Sequence, residues 1–374
     1  MTLGKVSRWL DQICAAECEE TQFPTPLSTS PPQPSLKRTH DSETTIMEPS
    51  KKQRKSQWES ASDTSSQLPT LRDDVTFLSQ PASTASQARQ RSPSPARHKT
   101  LLANATPRVY YFHERDEPKD LTAKSLLGFL SQETSWRPES AKILEAATGS
   151  WKCARQQRSE SSWVTEVTRP MLLASIGDLP LEAWGIQSES VRTCYQPQYT
   201  ARDRCHRKID YVVGFSTDSW KNLYKKSATR FTNGYANHVD HPHTGTQVLG
   251  AGCEIKPKYG NLLEAEIQVG VWTAGLFSWA FEHRVGPDLP PPLVGFISVG
   301  ESWEFYIIYG VPTEVGEDNE LPGLAEVHVW GPLSDLAGRT STEKTCTALA
   351  QTLRRVMEYI CGDYIERLEA SVIA

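Results

Sequence analysis

No run of 18 or more apolar residues occurs anywhere in the 374-residue chain, so no membrane-spanning helix is expected. The first residues, Met1-Thr2-Leu3-Gly4-Lys5, lack a long apolar stretch and a small-residue cleavage site, which argues against secretion. Paired cysteines are missing as well. Eight cysteines are scattered, only Cys14 and Cys18 lie close together, and no second cysteine or histidine pair completes a zinc site. Reduced, buried thiols in an intracellular protein are the expectation. Positive charge is in short supply: the net charge is −5, and residues 101–374 carry 27 basic against 34 acidic side chains. A protein committed to binding a polyanion is usually more basic than this.

Residues 22–106 lack apolar periodicity and are rich in Ser, Thr, Pro and Gln. Such a composition cannot bury enough surface to offset the entropy of ordering, so this segment is expected to be disordered. Within it, Lys37-Arg38 and Lys51-Lys52-Gln53-Arg54-Lys55 flank a 12-residue spacer. Two basic clusters at that spacing resemble a bipartite nuclear-import signal, which implies a nuclear or nucleocytoplasmic location and an import receptor as partner. A chance basic stretch in a tail is the plain alternative. Arg91-Ser92-Pro93-Ser94-Pro95 adds candidate proline-directed phosphorylation sites. Ahead of the tail, Val6, Trp9, Leu10 and Ile13 form a short helical stripe. The expected organisation is a short amphipathic helix at 1–21, a linker at 22–106 and a folded domain at 107–374.

From 107 onward the pattern changes. Val109-Tyr110-Tyr111-Phe112 is a short apolar run, and residues 122–130 and 139–148 have helical spacing. So do residues 159–176, with Trp163, Val167, Met171 and Leu172 on one stripe. Lys208–Phe215 and Gln247–Lys256 read as strands, the second ended by Pro257 and Gly260. Residues 262–282 read as a long helix with Leu263, Ile267, Val271 and Ala274 inward. Val294–Val299 and Trp303–Tyr309 read as a hairpin about Gly300-Glu301, and Ser341–Leu368 as a closing amphipathic helix or helix pair. The order predicts a mixed α/β domain.

The charged residues of the second strand carry the chemistry. Strand side chains alternate faces, so Glu254 and Lys256 project to the same side. Asp210 opens the preceding strand, 44 residues upstream of Glu254. Unpaired charges are rarely buried, so this trio needs a metal, a salt bridge or water. Two carboxylates suit Mg²⁺ (or Mn²⁺), and a lysine can face a phosphate or attacking water. That combination fits metal-assisted hydrolysis of a phosphodiester. An exposed cross-strand salt bridge, with Asp210 paired to an arginine, is the ordinary alternative.

Several stretches in order resemble a fungal group within the PD-(D/E)XK nuclease superfamily, the restriction-endonuclease-like fold. They are Ser159-Glu160-Ser161-Ser162-Trp163 with Val167 and Pro170-Met171-Leu172, Lys208-Ile209-Asp210-Tyr211, Asn237-His238 and Cys253-Glu254-Ile255-Lys256. Glu264-Ala265, Gln268-Val269-Gly270-Val271-Trp272 and Gly300-Glu301-Ser302-Trp303 follow. The resemblance spans roughly residues 140–360. It implies a central mixed sheet flanked by helices and catalytic roles for Asp210, Glu254, Lys256, Glu160 and Gln268, with Asp210 and Glu254 as metal ligands. Glu166 is the substitute for Glu160. Three departures stand out: a long Asp210-to-Glu254 gap implying an insertion at 216–246, Val164 where the family has asparagine, and Ile255 where threonine is frequent.

Residues 202–230 hold eight basic and three acidic side chains, a local +5. Arg204, Arg207, Lys208, Lys225 and Lys226 are the candidate nucleic-acid contacts, with a solvated charged face as the alternative. His238, His241 and His243 lie with Asp240 around Pro242, which suits a loop better than a metal cluster. Trp279, Trp303 and Trp330 are expected in core or hairpin packing, and Cys253 on the core side of its strand. Three function readings remain: a Mg²⁺-dependent nuclease, a catalytically silent module of the same fold that binds nucleic acid or a protein partner, and a folded region that serves only as an assembly scaffold.

Overall fold

The computed structural model describes residues 94–200, 203–231, 233–314 and 321–373. The stripe at 5–18, the basic clusters at 37–38 and 51–55, and residues 1–93 of the expected linker lie outside the described residues. Along the chain the elements are α1 (Pro95–Leu102), β1 (Arg108–Phe112), α2 (Leu121–Leu130), α3 (Ser140–Gln156) and α4 (Glu160–Trp163). A π-turn (Val164–Thr168) leads from α4 into α5 (Arg169–Ile176). Next come β2 (Leu181–Gly185), β3 (Tyr211–Phe215), α6 (Lys221–Arg230), β4 (Leu249–Lys256) and α7 (Leu262–Glu282). The last elements are β5 (Leu293–Val299), β6 (Ser302–Pro312), β7 (Leu324–Trp330), β8 (Gly338–Arg339), α8 (Glu343–Tyr359) and α9 (Ile365–Leu368).

A central eight-stranded mixed sheet, flanked by helices, organises these elements. Its order is β1-β7-β6-β5-β4-β3-β2, with β8 paired to β6. β1 runs parallel to β7 and β4 parallel to β5, while the other pairs are antiparallel. β3 is buried at every residue and β4 at every residue before Lys256, as expected for strands covered on both faces. Helix α7 is apolar nearly all round and packs on β4, β5, β6 and β7, which makes it the central buried helix. Helix α8 is held at its start by a capping box: Thr345 N donates to Thr342 Oγ1, and Thr342 N to Thr345 Oγ1.

One feature corrects the sequence expectation. Order begins before residue 107: Ser94 caps α1, Pro95 takes its first position, and Thr106 bridges to Gln198. The linker reading of 22–106 therefore does not hold over 94–106. The inserted segment 216–246 contains α6. The helix expected at 139–148 also runs on to Gln156, and strands β2, β7 and β8 had no counterpart in the sequence reading.

Candidate active site

Four charged side chains meet where β4 ends. Glu254 is the sixth residue of β4 and only 1% exposed; Lys256 ends the strand two residues on, on the same face. The Lys256 ammonium lies 2.7 Å from Glu254 Oε1 and 3.5 Å from Glu160 Oε2. Glu160 comes from the first turn of α4, which packs beside β4, and its side chain is 41% exposed. The cluster is therefore closed at Glu254 and open to solvent at Glu160.

Asp210 precedes β3 and is buried. Its backbone N–H donates to Cys253 O, and its Oδ2 accepts from Ile255 N at 2.7 Å, so it is stitched to the strand carrying Glu254 and Lys256. Its Oδ1 accepts from Gln187 Nε2 at 2.6 Å. Both carboxylate oxygens are thus oriented before any ligand arrives. The second Glu254 oxygen, Oε2, is buried without a hydrogen-bond partner among the described residues, and so is Gln268 Oε1. Such orphaned acceptors are rare in a folded interior. Gln268 donates through Nε2 to the carbonyl of Lys208, two residues before Asp210.

Burial, then the neighbouring Asp210 charge, pushes the Glu254 carboxyl up to about 8 despite the opposing Lys256. Burial also raises Asp210, against the hydrogen bonds from Gln187 and Ile255. Burial pulls the Lys256 ammonium down, but Glu254, then Glu160 and Asp210, outweigh it and hold the group above its ordinary value. The ammonium stays charged while Glu254 and Asp210 resist ionisation. Such a cluster carries an excess of acceptors that an incoming cation can relieve.

A family model described as the PD-(D/E)XK nuclease superfamily matches residues 98–365. The chain belongs to that superfamily. No curated protein matches the chain. In this nuclease fold, Asp210, Glu254 and Lys256 stand at adjacent ends of two paired central strands, with Glu160 arriving from a flanking helix. Glu166, the alternative acid, is instead ion-paired with Arg158.

Other candidates are placed elsewhere. Arg204 donates to Thr193 O, Arg207 meets His98, and Lys208 donates to Ser188 O at 2.6 Å. Lys226 pairs with Glu369, and Lys225 is exposed on α6. Lys208 is tied to Gln268 near the start of α7, whereas Arg230 of α6 binds His283 O just past its end. At about 1.5 Å per helical residue, these anchors are about 22 Å apart along α7, so the five candidates do not form one patch.

The histidines are also separated. His238 packs edge-on against Trp272 at 4.6 Å, His241 faces Glu189, and His243 packs against Trp184. Asn237 anchors this loop by donating to Thr244 O and Gln247 O. Among the described residues, no group of three or more His, Cys, Asp or Glu side chains is placed to hold a metal. Trp279, Trp303, Trp330 and Cys253 are buried.

Gln187 is the site residue absent from the sequence reading. It lies in a loop after β2, where no periodicity marks it. Only its proximity to Asp210 in space reveals it.

Proposed function

We propose that the chain is a divalent-cation-dependent hydrolase of nucleic-acid phosphodiesters, with Asp210 and Glu254 as the cation ligands. The observation carrying this reading is the buried, unpartnered Glu254 Oε2 beside Asp210 and Lys256. The residues fit the group. Two hard carboxylates suit Mg²⁺ or Mn²⁺, and water and substrate oxygens ordinarily complete such a shell. When bound, the cation supplies Lewis acidity to the phosphodiester and to the water that attacks it.

The chain's own residues do the rest. Gln187 and the Ile255 N–H fix both Asp210 oxygens in place. Lys256 offers a charged donor to a phosphate oxygen and stabilises the negative charge that develops there. Glu160 keeps that ammonium at the open side of the cluster. Gln268 braces the backbone entering β3 through Lys208 O and retains an acceptor for an orienting contact.

Purified full-length protein with Mg²⁺ or Mn²⁺ is expected to cut DNA or RNA, and Lys256→Ala to slow it by about 10²–10³. Intact substrates throughout, together with no calorimetric cation binding dependent on Asp210 and Glu254, would overturn the reading. That outcome favours the silent module, to which the acidic balance of residues 101–374 lends support. Nuclear import through Lys37, Arg38, Lys51, Lys52, Arg54 and Lys55 is a separate proposal. It fails if alanine at all six leaves the distribution of a fluorescent fusion unchanged.

A further inference from the structure

The turn joining β4 to α7, Pro257-Lys258-Tyr259-Gly260, follows directly on Lys256 and bears an aromatic ring in solvent. Tyr259 is 81% exposed, the most exposed large hydrophobic side chain among the described residues. Exposure here is not looseness. Gly260 N donates to Pro257 O at 2.7 Å, and Gly300 N donates to Lys256 O at 2.8 Å. A side chain at Gly260 would come within 2.4 Å of Lys256 Cβ, so the turn folds tightly back on the stem of the lysine. On its other flank the β5–β6 hairpin closes in: Gly300 has φ +56°, and a side chain there would lie 2.7 Å from Lys258 Cα. Asn261 then caps α7 by accepting from Glu264 N.

Resting on the hydrolase reading above, we propose that Tyr259 is a stacking subsite for an unpaired nucleobase beside the scissile phosphate, so that the substrate class is single-stranded nucleic acid. Tyr259 adjoins Gly260, which packs on Lys256 Cβ, so the backbone that bears the ring is held against the stem of the lysine. Electrostatics alone offer little grip. The folded region is net acidic, and Arg204, Arg207 and Lys208 are already engaged with protein acceptors. An aromatic face compensates, because every base presents a π-face whatever the sequence. In a duplex those faces are stacked inside, out of reach of a single ring at the rim. Lys258, exposed beside Tyr259, is placed to meet the adjoining phosphate.

Full-length protein in EDTA, where no strand is cut, is titrated by fluorescence anisotropy with single-stranded DNA, single-stranded RNA, their duplex and an abasic strand. Single strands are expected to bind more tightly than duplex, and Tyr259→Phe to match the parent. Tyr259→Ala should weaken single-strand binding by about tenfold, the range for loss of one stacked base, and leave abasic binding unchanged. The DNA and RNA arms show which backbone carries the base. Tyr259→Ala binding like the parent, or a preference for duplex, overturns the stacking subsite alone. Tyr259-dependent binding with no cleavage in Mg²⁺ or Mn²⁺ overturns the hydrolase reading and leaves the subsite standing. Absence of all binding in EDTA overturns the subsite, and absence of cleavage in Mg²⁺ or Mn²⁺ as well overturns both.

Discussion

Two clusters of carboxylates and lysine share one face of the central sheet, and only one of them leaves a buried carboxylate oxygen without a partner. Glu254 is paired across the sheet with Ile297, and Ile297 with Glu304, so the three side chains stand in a row. On the far side of Ile297, Tyr306 places its hydroxyl 3.0 Å from Glu266 and 3.1 Å from Glu304, while Lys99 pairs with Glu266 and lies over the Tyr111 ring. There one hydroxyl and one ammonium serve two carboxyl groups. In the first cluster Lys256 serves Glu254 and Glu160, Asp210 stands close by, and one Glu254 oxygen has no partner. Both Glu254 and Glu304 are raised by burial, so burial alone does not separate them. The difference lies in the carboxylates: no oxygen of Glu266 or Glu304 is buried without a partner, although the Tyr111 hydroxyl is, whereas Glu254 Oε2 stands alone. Ile297, fully buried, is the apolar spacer between them.

The largest expected effect tests that asymmetry directly. Lys256→Ala should lower the cleavage rate by about 10²–10³, the range for losing a preorganised charged donor. It also leaves the buried Glu254 carboxyl without its donor, and an unsatisfied buried polar group typically costs about 1–3 kcal/mol. Denaturant unfolding measures the second term separately. An unchanged rate would place Lys256 with the structural cluster. Next is Gln187→Ala, which removes the donor to Asp210 Oδ1. Partners that orient a metal ligand are typically worth about 10- to 100-fold in metal affinity, and Mn²⁺ titration reads the loss. Affinity equal to the parent would show that Ile255 N alone holds Asp210.

The third effect is a pH dependence. Glu254 ordinarily ionises near pH 4.5, but in the fold it is pushed up to about 8. The folded state therefore holds a proton that the unfolded chain releases. Its contribution to stability is complete below the unfolded value and is lost as pH rises through about 8. Cation-free protein should lose urea resistance across that window, and Glu254→Gln should flatten the loss. A parent and variant falling in parallel would mean that Glu254 ionises as easily folded as unfolded.

What was legible beforehand follows from how each residue is fixed. Glu254 and Lys256 were readable because strand alternation is local, and β3 and β4 announce themselves as apolar runs. The stripe of Trp163, Val167, Met171 and Leu172 is likewise buried as its helical spacing requires, although the π-turn within it was not visible. Glu160 came from resemblance, since no spacing rule ties a helix start to a strand end 96 residues later. Strands β2 and β7 show no clean alternation of burial along their length, so their pattern is weak. The basic residues between 202 and 230 looked like one patch because charge was summed along the chain, whereas β3 carries the chain across the domain between them.

The smallest effect belongs to the Glu304 cluster, and it is the control for the other three. Glu304→Gln keeps the side chain's shape and an acceptor for the Tyr306 hydroxyl. One net hydrogen bond is worth about 1 kcal/mol, so stability should change by no more than that. Cleavage rate and cation affinity should stay within about twofold of the parent, since Ile297 stands between Glu304 and Glu254 at about 10 Å, two strand spacings. A charge removed at that range still adds a weak field at Glu254, and a slight fall in its ionisation point is the expected trace. If Glu304→Gln instead cuts cation affinity as deeply as Gln187→Ala, the two clusters form a single site, and the apolar spacer does not divide them.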